Sequence, residues 1–190
     1  NNAAVRERVG DLEFEFVAGE FFQNNPFILP EFVAYGVSEA KGPRFLVDAY
    51  CGVGMFALSA AKEFERVAGI EVSANAVECA RKNAGINNIA NCFFFAGKAE
   101  NIFESVSSDY PGAETSVIID PPRSGCDMSF IGQLARFAPA KIVYVSCGPD
   151  TQARDAAELQ KLGYRLEKLQ PFDLFPQTRH IESVATFLRQ

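Results

Sequence analysis

The sequence lacks the patterns that mark three common classes of protein. Its five cysteines are widely spaced and contain no C-x-x-C pair, which excludes a disulfide framework and a zinc site of the usual spacing. No apolar run approaches the roughly 18 residues that a membrane helix needs. The formal net charge of -6 argues against a protein that holds nucleic acid by overall positive charge. These absences predict an intracellular protein of a reducing compartment, without a metal ion or a membrane partner.

What the sequence does contain is an alternation of short apolar runs with helix-length segments. Its 190 residues, 48% of them hydrophobic, suffice for one well-cored domain but are few for two. The alternation predicts an α/β fold with a mainly parallel sheet. Strands are predicted at 44–50, 66–72, 91–97, 115–120, 141–146, 164–172 and 182–188, and helices at 54–64, 73–86, 99–106, 128–138 and 151–163. The last two strands have no helix between them, which predicts a final hairpin and one antiparallel strand.

The domain organisation follows from the same reading. We interpret residues 44–190 as one compact domain and residues 1–43 as an N-terminal extension, with a short strand and a helix, that packs onto it. The chain starts without methionine, in a polar stretch that leads directly into the strand-like "LEFEF". We therefore expect it to be a piece of a longer protein.

A glycine turn follows the first strand of the domain, in "VDAYCGVGMFALS". Gly52 and Gly54 stand where a helix begins, and Glu71 follows Gly52 by 19 residues, at the end of the next strand. This arrangement brings backbone close to a ligand and offers a carboxylate to a ribose diol. A nicotinamide or flavin dinucleotide and S-adenosylmethionine would each fit it. Asp48 gives D-x-x-x-G-x-G, which resembles the first motif of the Rossmann-like methyltransferases, and this resemblance implies a carboxylate that faces the cationic amino-acid end of S-adenosylmethionine. In a dinucleotide enzyme an acid at this point would repel the pyrophosphate.

Three further stretches place reactive side chains at strand ends that should meet. Asp120 begins the stiff loop "DPPRSGC", Cys147 ends the strand in "VYVSCGPDT", and Glu182 opens the last strand in "FPQTRHIES". A thiol and a carboxylate across one pocket suit covalent catalysis, in which one group attacks and the other removes a proton. The alternatives are a rigid turn at Asp120 and a buried structural thiol at Cys147. His180, the single histidine, could activate Cys147 or only make a structural hydrogen bond.

In this order and spacing, the stretches "FFQNN", "DAYCGVG", "GIEVS", "DPPRSGC", "VYVSCGPDT" and "FPQTRHIES" resemble the catalytic domain of the RNA (uracil-5-)-methyltransferases. The resemblance runs from about residue 20 to residue 190. It implies a Rossmann-like class I methyltransferase fold, with a mostly parallel seven-stranded sheet and an antiparallel last strand. It also implies S-adenosylmethionine as cofactor and methylation of C5 of a uridine in RNA, most simply tRNA. Relatives carry RNA-binding domains that this sequence does not contain.

The resemblance also implies roles for individual residues. Cys147 matches the nucleophile that adds to C6 of uracil, and Glu182 matches the base that removes the C5 proton. The positions that match cofactor contacts are Gln23, Tyr50, Gly52, Gly54, Glu71 and Asp120. Arg123 is the cation that we assign to the substrate, and Arg154 and Arg179 are further cations near the crevice. Phe21 and Phe22 could hold a base but are better explained as core.

Two departures and three rival readings remain open at this point. Gly148 stands where the family usually has asparagine, and Met55 where a short polar residue is common.

We expect the pKa of Cys147 to lie below the free value of about 8.5, since the thiolate is the nucleophile. The rivals are a nicotinamide-dependent oxidoreductase, an amino-methyltransferase acting on a base nitrogen or a small molecule, and a catalytically weak binding domain.

Overall fold

The structure, a computed structural model, describes residues 4–17, 25–97, 103 and 106–190. Two strands, β1 (Ala4–Val9) and β2 (Leu12–Val17), form a small sheet of their own. The main sheet contains β3 (Phe45–Ala49), β4 (Arg66–Glu71), β5 (Cys92–Ala96), β6 (Thr115–Ile119), β7 (Lys141–Ser146), β8 (Tyr164–Phe172) and β9 (Glu182–Arg189). The order of its seven strands is β5-β4-β3-β6-β7-β9-β8.

The direction of the strands confirms the predicted sheet. Strands β3 to β7 pair in parallel, whereas β9 lies antiparallel to both of its neighbours, β7 and β8. The chain order reverses between β3 and β6, which is the switch point where open α/β sheets bind their ligands. The carboxyl ends of β3, β6 and β7 are therefore adjacent at one edge of the sheet.

Five helices cover the sheet: α1 (Leu29–Ala40), α2 (Met55–Ser59), α3 (Ala74–Ile86), α4 (Met128–Phe137) and α5 (Pro149–Lys161). Ser73 caps α3, because its hydroxyl accepts a hydrogen bond from the N–H of Ala76 at 3.3 Å. The α5 helix begins at Pro149, whose fixed φ suits the first helical turn, and it ends just before Gly163, which has φ +91°. Within the described part of the chain, every helix is too short or too polar to cross a bilayer.

The hydrophobic core lies on both faces of the sheet. On one face, α1, α2 and α3 pack against alternate strand residues such as Leu46, Ile118 and Val143. On the other face, α4 and α5 pack against the intervening residues, among them Val117 and Tyr144. Because β3, β6 and most of β7 are buried on both faces, they read as continuous apolar runs in the sequence.

The structure differs from the sequence-based prediction in two described places. The predicted helix over 54–64 ends at Ser59, after which the N–H groups of Ala61 and Glu63 bond the carbonyls three residues earlier and the chain continues in tight turns. The predicted single N-terminal strand is a hairpin, in which Gly10 supplies φ +58° at the two-residue turn. The predicted helix over 99–106 lies mostly outside the described residues.

Asn83 of α3 and Asn87, which directly follows that helix, attach this hairpin to the domain. The amide of Asn83 accepts a hydrogen bond from the N–H of Glu15 at 2.8 Å and donates one to the Glu15 carbonyl at 3.1 Å. Asn87, one helical turn later, makes the same two bonds with Glu13 at 2.9 and 2.7 Å. Asn83 also donates to the carbonyl of Val53 in the glycine turn at 3.1 Å. The two side chains therefore pair with alternate residues of β2 in the way that a neighbouring strand would.

Candidate active site

A cavity of about 620 Å³ opens at the carboxyl ends of β3, β4, β6 and β7. Its volume is in the range of sites for small molecules and cofactors. Of the predicted site residues that the structure describes, all except Gly54 line it: they are Tyr50, Gly52, Glu71, Asp120, Arg123, Cys147 and Glu182. Gln23, like Phe21 and Phe22, lies outside the described residues. The fold therefore brings together side chains that are up to 132 positions apart in the sequence (182 minus 50).

The glycine turn is organised by Glu71. One carboxylate oxygen of Glu71 accepts the N–H of Gly52 at 3.1 Å, and the other accepts the N–H of Ser73 at 2.9 Å. Gly52 has φ +52°, which favours glycine, and a Cβ there would meet no atom within 4 Å. Each oxygen of Glu71 retains a lone pair, so the carboxylate can still accept hydrogen bonds from a ligand diol.

Two residues of the glycine motif lie away from the cavity lining. Gly54 has φ +91°, and a Cβ there would come within 3.1 Å of the Phe94 ring, so glycine is needed at this position for packing. Asp48 is buried and accepts the N–H of Ala57 at 2.8 Å, while its Oδ1 has no partner among the described residues. Burial raises the pKa of Asp48 well above its usual value. The placement of Asp48 therefore differs from the expectation that it faces a ligand, because it supports the helix that follows the turn.

Tyr50 occupies an unusual backbone conformation at the end of β3. Its φ of +66° is rare for a bulky side chain, and such a conformation costs on the order of 1–2 kcal/mol. Its ring packs against Phe130 with the centroids 5.2 Å apart, which fixes the ring at the cavity wall. The fold holds this strained residue at the switch point, where strained conformations are typical of ligand sites.

The loop that carries Asp120 is anchored by a buried carboxylate of α5. Asp155 accepts the N–H of Cys126 at 2.7 Å, the hydroxyl of Tyr144 at 2.8 Å and Nε of Arg154 at 2.8 Å. Arg154 also donates to the carbonyls of Ser124 and Cys126. Arg154 is therefore part of the scaffold of the "DPPRSGC" loop.

Asp120 itself stands at the mouth of the cavity. Burial, and secondly the neighbouring charge of Glu182, raise the pKa of Asp120 to about 7. Two carboxyl groups in one low-dielectric pocket repel when both are ionised. The cavity therefore favours a cation or a hydrogen-bond donor.

Cys147 follows β7 directly, and Glu182 begins β9. In the antiparallel pairing Ser146 is the partner of Ser183, so the residues beside them, Cys147 and Glu182, come to the same place. The hydroxyl of Ser146 accepts the N–H of Gly148 at 3.0 Å and fixes the turn into α5. Both predicted catalytic side chains face one cavity.

The expectation of a lowered pKa for Cys147 is wrong for the free protein. Burial raises the pKa of Cys147, and the neighbouring carboxylate of Glu182 raises it further. A hydrogen bond with Arg123 lowers it, but by less. The thiol is thus protonated in the free protein at neutral pH.

Glu182 is almost completely buried, at 2% exposure, and its Oε2 has no hydrogen-bond partner among the described residues. Burial raises its pKa to about 7, although the nearby charge of Arg123 opposes this shift. A carboxylate with a pKa near neutrality is suited to accept a proton. His180 is not among the residues that line the cavity; its ring lies edge-on to that of Phe175, which does line it, with the centroids 6.4 Å apart.

Sequence reasoning missed two buried polar residues of α5, Gln152 and Asp155. The Nε2 of Gln152 donates to the carbonyl of Tyr144 at 3.0 Å, and its Oε1 accepts the hydroxyl of Ser183 at 2.7 Å. The available signal was their spacing, because Gln152, Asp155 and Leu159 share the buried face of the helix.

The two departures from the family pattern have structural explanations. A Cβ at Gly148 would stand 2.8 Å from Oγ1 of Thr151 and 3.2 Å from the carbonyl oxygen of Arg123, so this turn has no room for a side chain. Met55 is buried in the core at the start of α2 and does not line the cavity. In the described part of the chain, no three His, Cys, Asp or Glu side chains are grouped to hold a metal ion.

Comparison with known proteins gives consistent results. The family described as tRNA (Uracil-5-)-methyltransferase matches residues 3–190. A protein of Schizosaccharomyces pombe named tRNA (uracil(54)-C(5))-methyltransferase is 46% identical over 198 residues, which cover 97% of this chain and 37% of that protein. A Saccharomyces cerevisiae protein of the same name is also 46% identical, with 97% and 31% coverage. The chain therefore spans about a third of the length of these relatives.

Solved structures agree with the sequence matches. The structure of a Pyrococcus abyssi tRNA (uracil-54, C5)-methyltransferase, in complex with S-adenosyl-L-homocysteine, superposes with a TM-score of 0.84 at 33% identity and covers 97% of this chain and 44% of that one. The M. jannaschii TYW2 structure in complex with AdoMet has a TM-score of 0.70 at 15% identity, with 100% and 88% coverage. The second match concerns the fold alone, which is the Rossmann-like methyltransferase fold.

Proposed function

The chain belongs to the tRNA (uracil-5-)-methyltransferase family, and from this premise we propose that it methylates C5 of a uridine in tRNA by way of a covalent adduct with Cys147. The methyl donor is S-adenosylmethionine. One observation carries the proposal: Cys147 and Glu182 line the same cavity as Gly52 and Glu71. The remaining residues follow from the chemistry that this pair can perform.

The reaction requires a nucleophile because C5 of uracil is itself a weak one. The Cys147 thiolate adds to C6, which makes C5 an enolate-like carbon that takes the methyl group. Glu182 then removes the proton from C5, the C6–S bond breaks, and the double bond of the ring returns. The electron pair of the broken bond leaves on sulfur, so the thiolate is regenerated.

The cavity walls suit S-adenosylmethionine, which supplies an electrophilic methyl group. Glu71 can accept the ribose hydroxyls, and Gly52 lets the backbone approach. Tyr50 and Asp120 border the same space, and the raised pKa of Asp120 fits a carboxyl group that awaits a cationic partner. We assign Gln23 and Gly54 to the cofactor region on the family resemblance alone.

The raised pKa of Cys147 leads to a proposal about activation. The thiol ionises when substrate is bound, because the bound base brings hydrogen-bond donors to the pocket, and hydrogen bonds to the thiolate favour the charged form. Arg123 lines the cavity and is the cation that lowers the pKa of both Cys147 and Glu182, so we assign it to the substrate side of the site. In an RNA the target base has to be swung out of its stack to reach Cys147.

We propose that residues 44–190 act as the methyltransferase domain and residues 1–43 as an extension packed on it. The net charge of -6 gives little general attraction to RNA. We therefore propose that recognition of tRNA needs further RNA-binding regions of a longer chain, and that this chain alone binds S-adenosylmethionine but methylates tRNA poorly. None of the five cysteines, all of them described, forms a disulfide, which supports an intracellular location.

The proposal is tested by intact-mass analysis after incubation with S-adenosylmethionine and a short RNA that contains 5-fluorouridine. Fluorine at C5 prevents the final proton removal, so a thiol that has attacked C6 stays bonded to a methylated base. We expect this adduct with the unmodified protein and with Cys79→Ala, a control at a half-buried cysteine. We expect none with Cys147→Ala.

Two results would contradict the proposal. One is an adduct that survives Cys147→Ala, which would place the nucleophile elsewhere. The other is methylation of a base nitrogen at a rate that Cys147→Ala leaves unchanged, which would identify an amino-methyltransferase. Glu182→Gln separates the two catalytic roles, because it is expected to form a stable adduct even with ordinary uridine.

A further inference from the structure

Gln152 connects the two strands that carry the catalytic pair. It lies in the second turn of α5, is 5% exposed and is not among the cavity-lining residues. Its Nε2 donates to the carbonyl of Tyr144 in β7 at 3.0 Å, and its Oε1 accepts the hydroxyl of Ser183 in β9 at 2.7 Å. One side chain therefore joins β7 to β9 from above the sheet.

The position of this connection matters because the ladder between β7 and β9 ends there. Its last pair is Ser146 with Ser183. Cys147 and Glu182 follow without a β7–β9 pair, and Glu182 is held on its other side by pairing with Phe172 of β8. The ends of ladders open more readily than their centres because they have fewer bonds to hold them. The hydroxyl of Ser183 lies 3.4 Å from the carbonyl of Ser146, at the long end of hydrogen-bond distance, so the shorter bond to Gln152 is the firmer restraint.

We propose that Gln152 is a positioning residue that fixes the separation between the sulfur of Cys147 and the carboxyl group of Glu182. The inference rests on the proposed function, in which the two groups act on adjacent ring atoms, C6 and C5. Since both must reach one bound base, a change in their separation impairs attack or proton removal. The loss of one positioning contact can reduce the rate by about 10- to 100-fold.

The first test measures the coupling between Cys147 and Glu182 without RNA. The rate of alkylation of Cys147 is followed against pH by peptide mass spectrometry, in the unmodified protein, Glu182→Gln, Gln152→Met and the double variant. The charged groups that face the sulfur are Glu182, Asp120 and Arg123. Glu182→Gln is expected to lower the midpoint of the titration, because it removes a like charge.

In the Gln152→Met background, Glu182→Gln is expected to shift the midpoint of Cys147 alkylation by less than half as much as it does in the unmodified protein. Gln160→Met, an exposed position of the same helix, is the matched control and should keep the full shift. An equal shift in both backgrounds would overturn the proposal, because Glu182 would then stay near the sulfur without Gln152. Ser183→Ala removes the same connection from its other end, so it answers the question if Gln152→Met does not fold.

The second test separates positioning from simple structural support. In a chain that methylates RNA, Gln152→Met and Ser183→Ala are expected to lower kcat to a similar extent, with KM unchanged, and the double variant to be no worse than either. Additive losses, or an increase in KM alone, would contradict a shared positioning role. If a longer chain that carries the RNA-binding regions forms no adduct, the proposed function fails, and the alkylation titration still decides on Gln152 independently.

Discussion

Two buried carboxyl groups lie near β7, and they differ in whether their oxygens have hydrogen-bond partners. Asp155 is fully buried, and its oxygens accept hydrogen bonds from Cys126, Tyr144 and Arg154. Glu182 is almost as deeply buried, yet one of its oxygens has no partner among the described residues. A buried polar group without a partner costs free energy, whereas a fully bonded one holds its neighbours in place. The chain therefore completes the hydrogen bonds of its scaffold carboxylate and leaves one oxygen of Glu182, the proposed base, without a partner among the described residues.

This difference gives a physical criterion for locating the site. Within the described residues, the buried side-chain atoms without a partner belong to Asp48, Tyr110 and Glu182, and only Glu182 of these lines the cavity at the strand ends. In the proposed function, the cost of this group in the free protein is recovered when substrate binds. Stability and function are expected to respond in opposite directions at Asp155 and Glu182.

The largest expected effect comes from removing the scaffold carboxylate. Asp155→Ala leaves Arg154, Tyr144 and the N–H of Cys126 without their common acceptor. We expect the free energy of unfolding to fall by about 3 kcal/mol or more, measured by urea denaturation. Asp150→Ala, an exposed position in the first turn of α5, should cost less than about 1 kcal/mol. Equal losses from both would show that the Asp155 contacts contribute little.

Glu182→Gln is expected to raise the free energy of unfolding, whereas Asp155→Ala lowers it. The size of the increase depends on pH. Because the pKa of Glu182 rises from 4.5 to about 7 on folding, the folded protein retains a proton that the unfolded chain releases between these values. The unmodified protein therefore loses stability as pH rises through this window, and the variant lacks that loss. We expect the stability of the variant relative to the unmodified protein to grow by about 2 kcal/mol between pH 5 and pH 8.

Urea denaturation at both pH values measures this change, and Glu167→Gln on the exposed strand β8 is the control. A relative stability of Glu182→Gln that is the same at pH 5 and pH 8 would contradict the raised pKa. A fall in its relative stability with rising pH would show that the ionised carboxylate is stabilised by the fold.

The smallest expected effect concerns Arg123, the cation that lowers the pKa of both Cys147 and Glu182. Arg123→Met removes the hydrogen bond and the charge that lower the pKa of Cys147. We expect the midpoint of Cys147 alkylation to rise, because the opposing effect of Arg123 is lost. Arg179→Met, at an exposed position outside the cavity lining, is the matched control. An unchanged midpoint would mean that Arg123 is screened by solvent.

Much of this architecture could be predicted from the sequence because it depends on local patterns. The buried runs of β3, β6 and β7 and the absence of a helix between β8 and β9 predict the sheet and its antiparallel strand, both of which the structure confirms. The strand ends then bring Asp120, Cys147 and Glu182 to one edge. This follows from topology and does not need the details of packing.

The features that the sequence did not predict depend on three-dimensional surroundings. β1 was missed because "VRERV" is charged and mostly exposed, so no apolar alternation marks it. The pKa of Cys147 was predicted in the wrong direction because burial and Glu182 outweigh Arg123, and a balance of that kind depends on distances. Gln152 was missed because a glutamine in a polar helix reads as solvent-exposed until its partners, Tyr144 and Ser183, are known.

The attachment of the N-terminal hairpin by Asn83 and Asn87 has a consequence for the order of folding. The turn at Gly10 lets β1 and β2 pair early, since their contacts are local. Docking, however, joins residues 68 positions apart, so it has to wait until α3 has formed and a long loop has closed. Asn83 also holds Val53, and the glycine turn therefore reaches its final shape in the same late step. The N-terminal hairpin is thus among the last parts of the domain to be secured, together with the turn that borders the cavity.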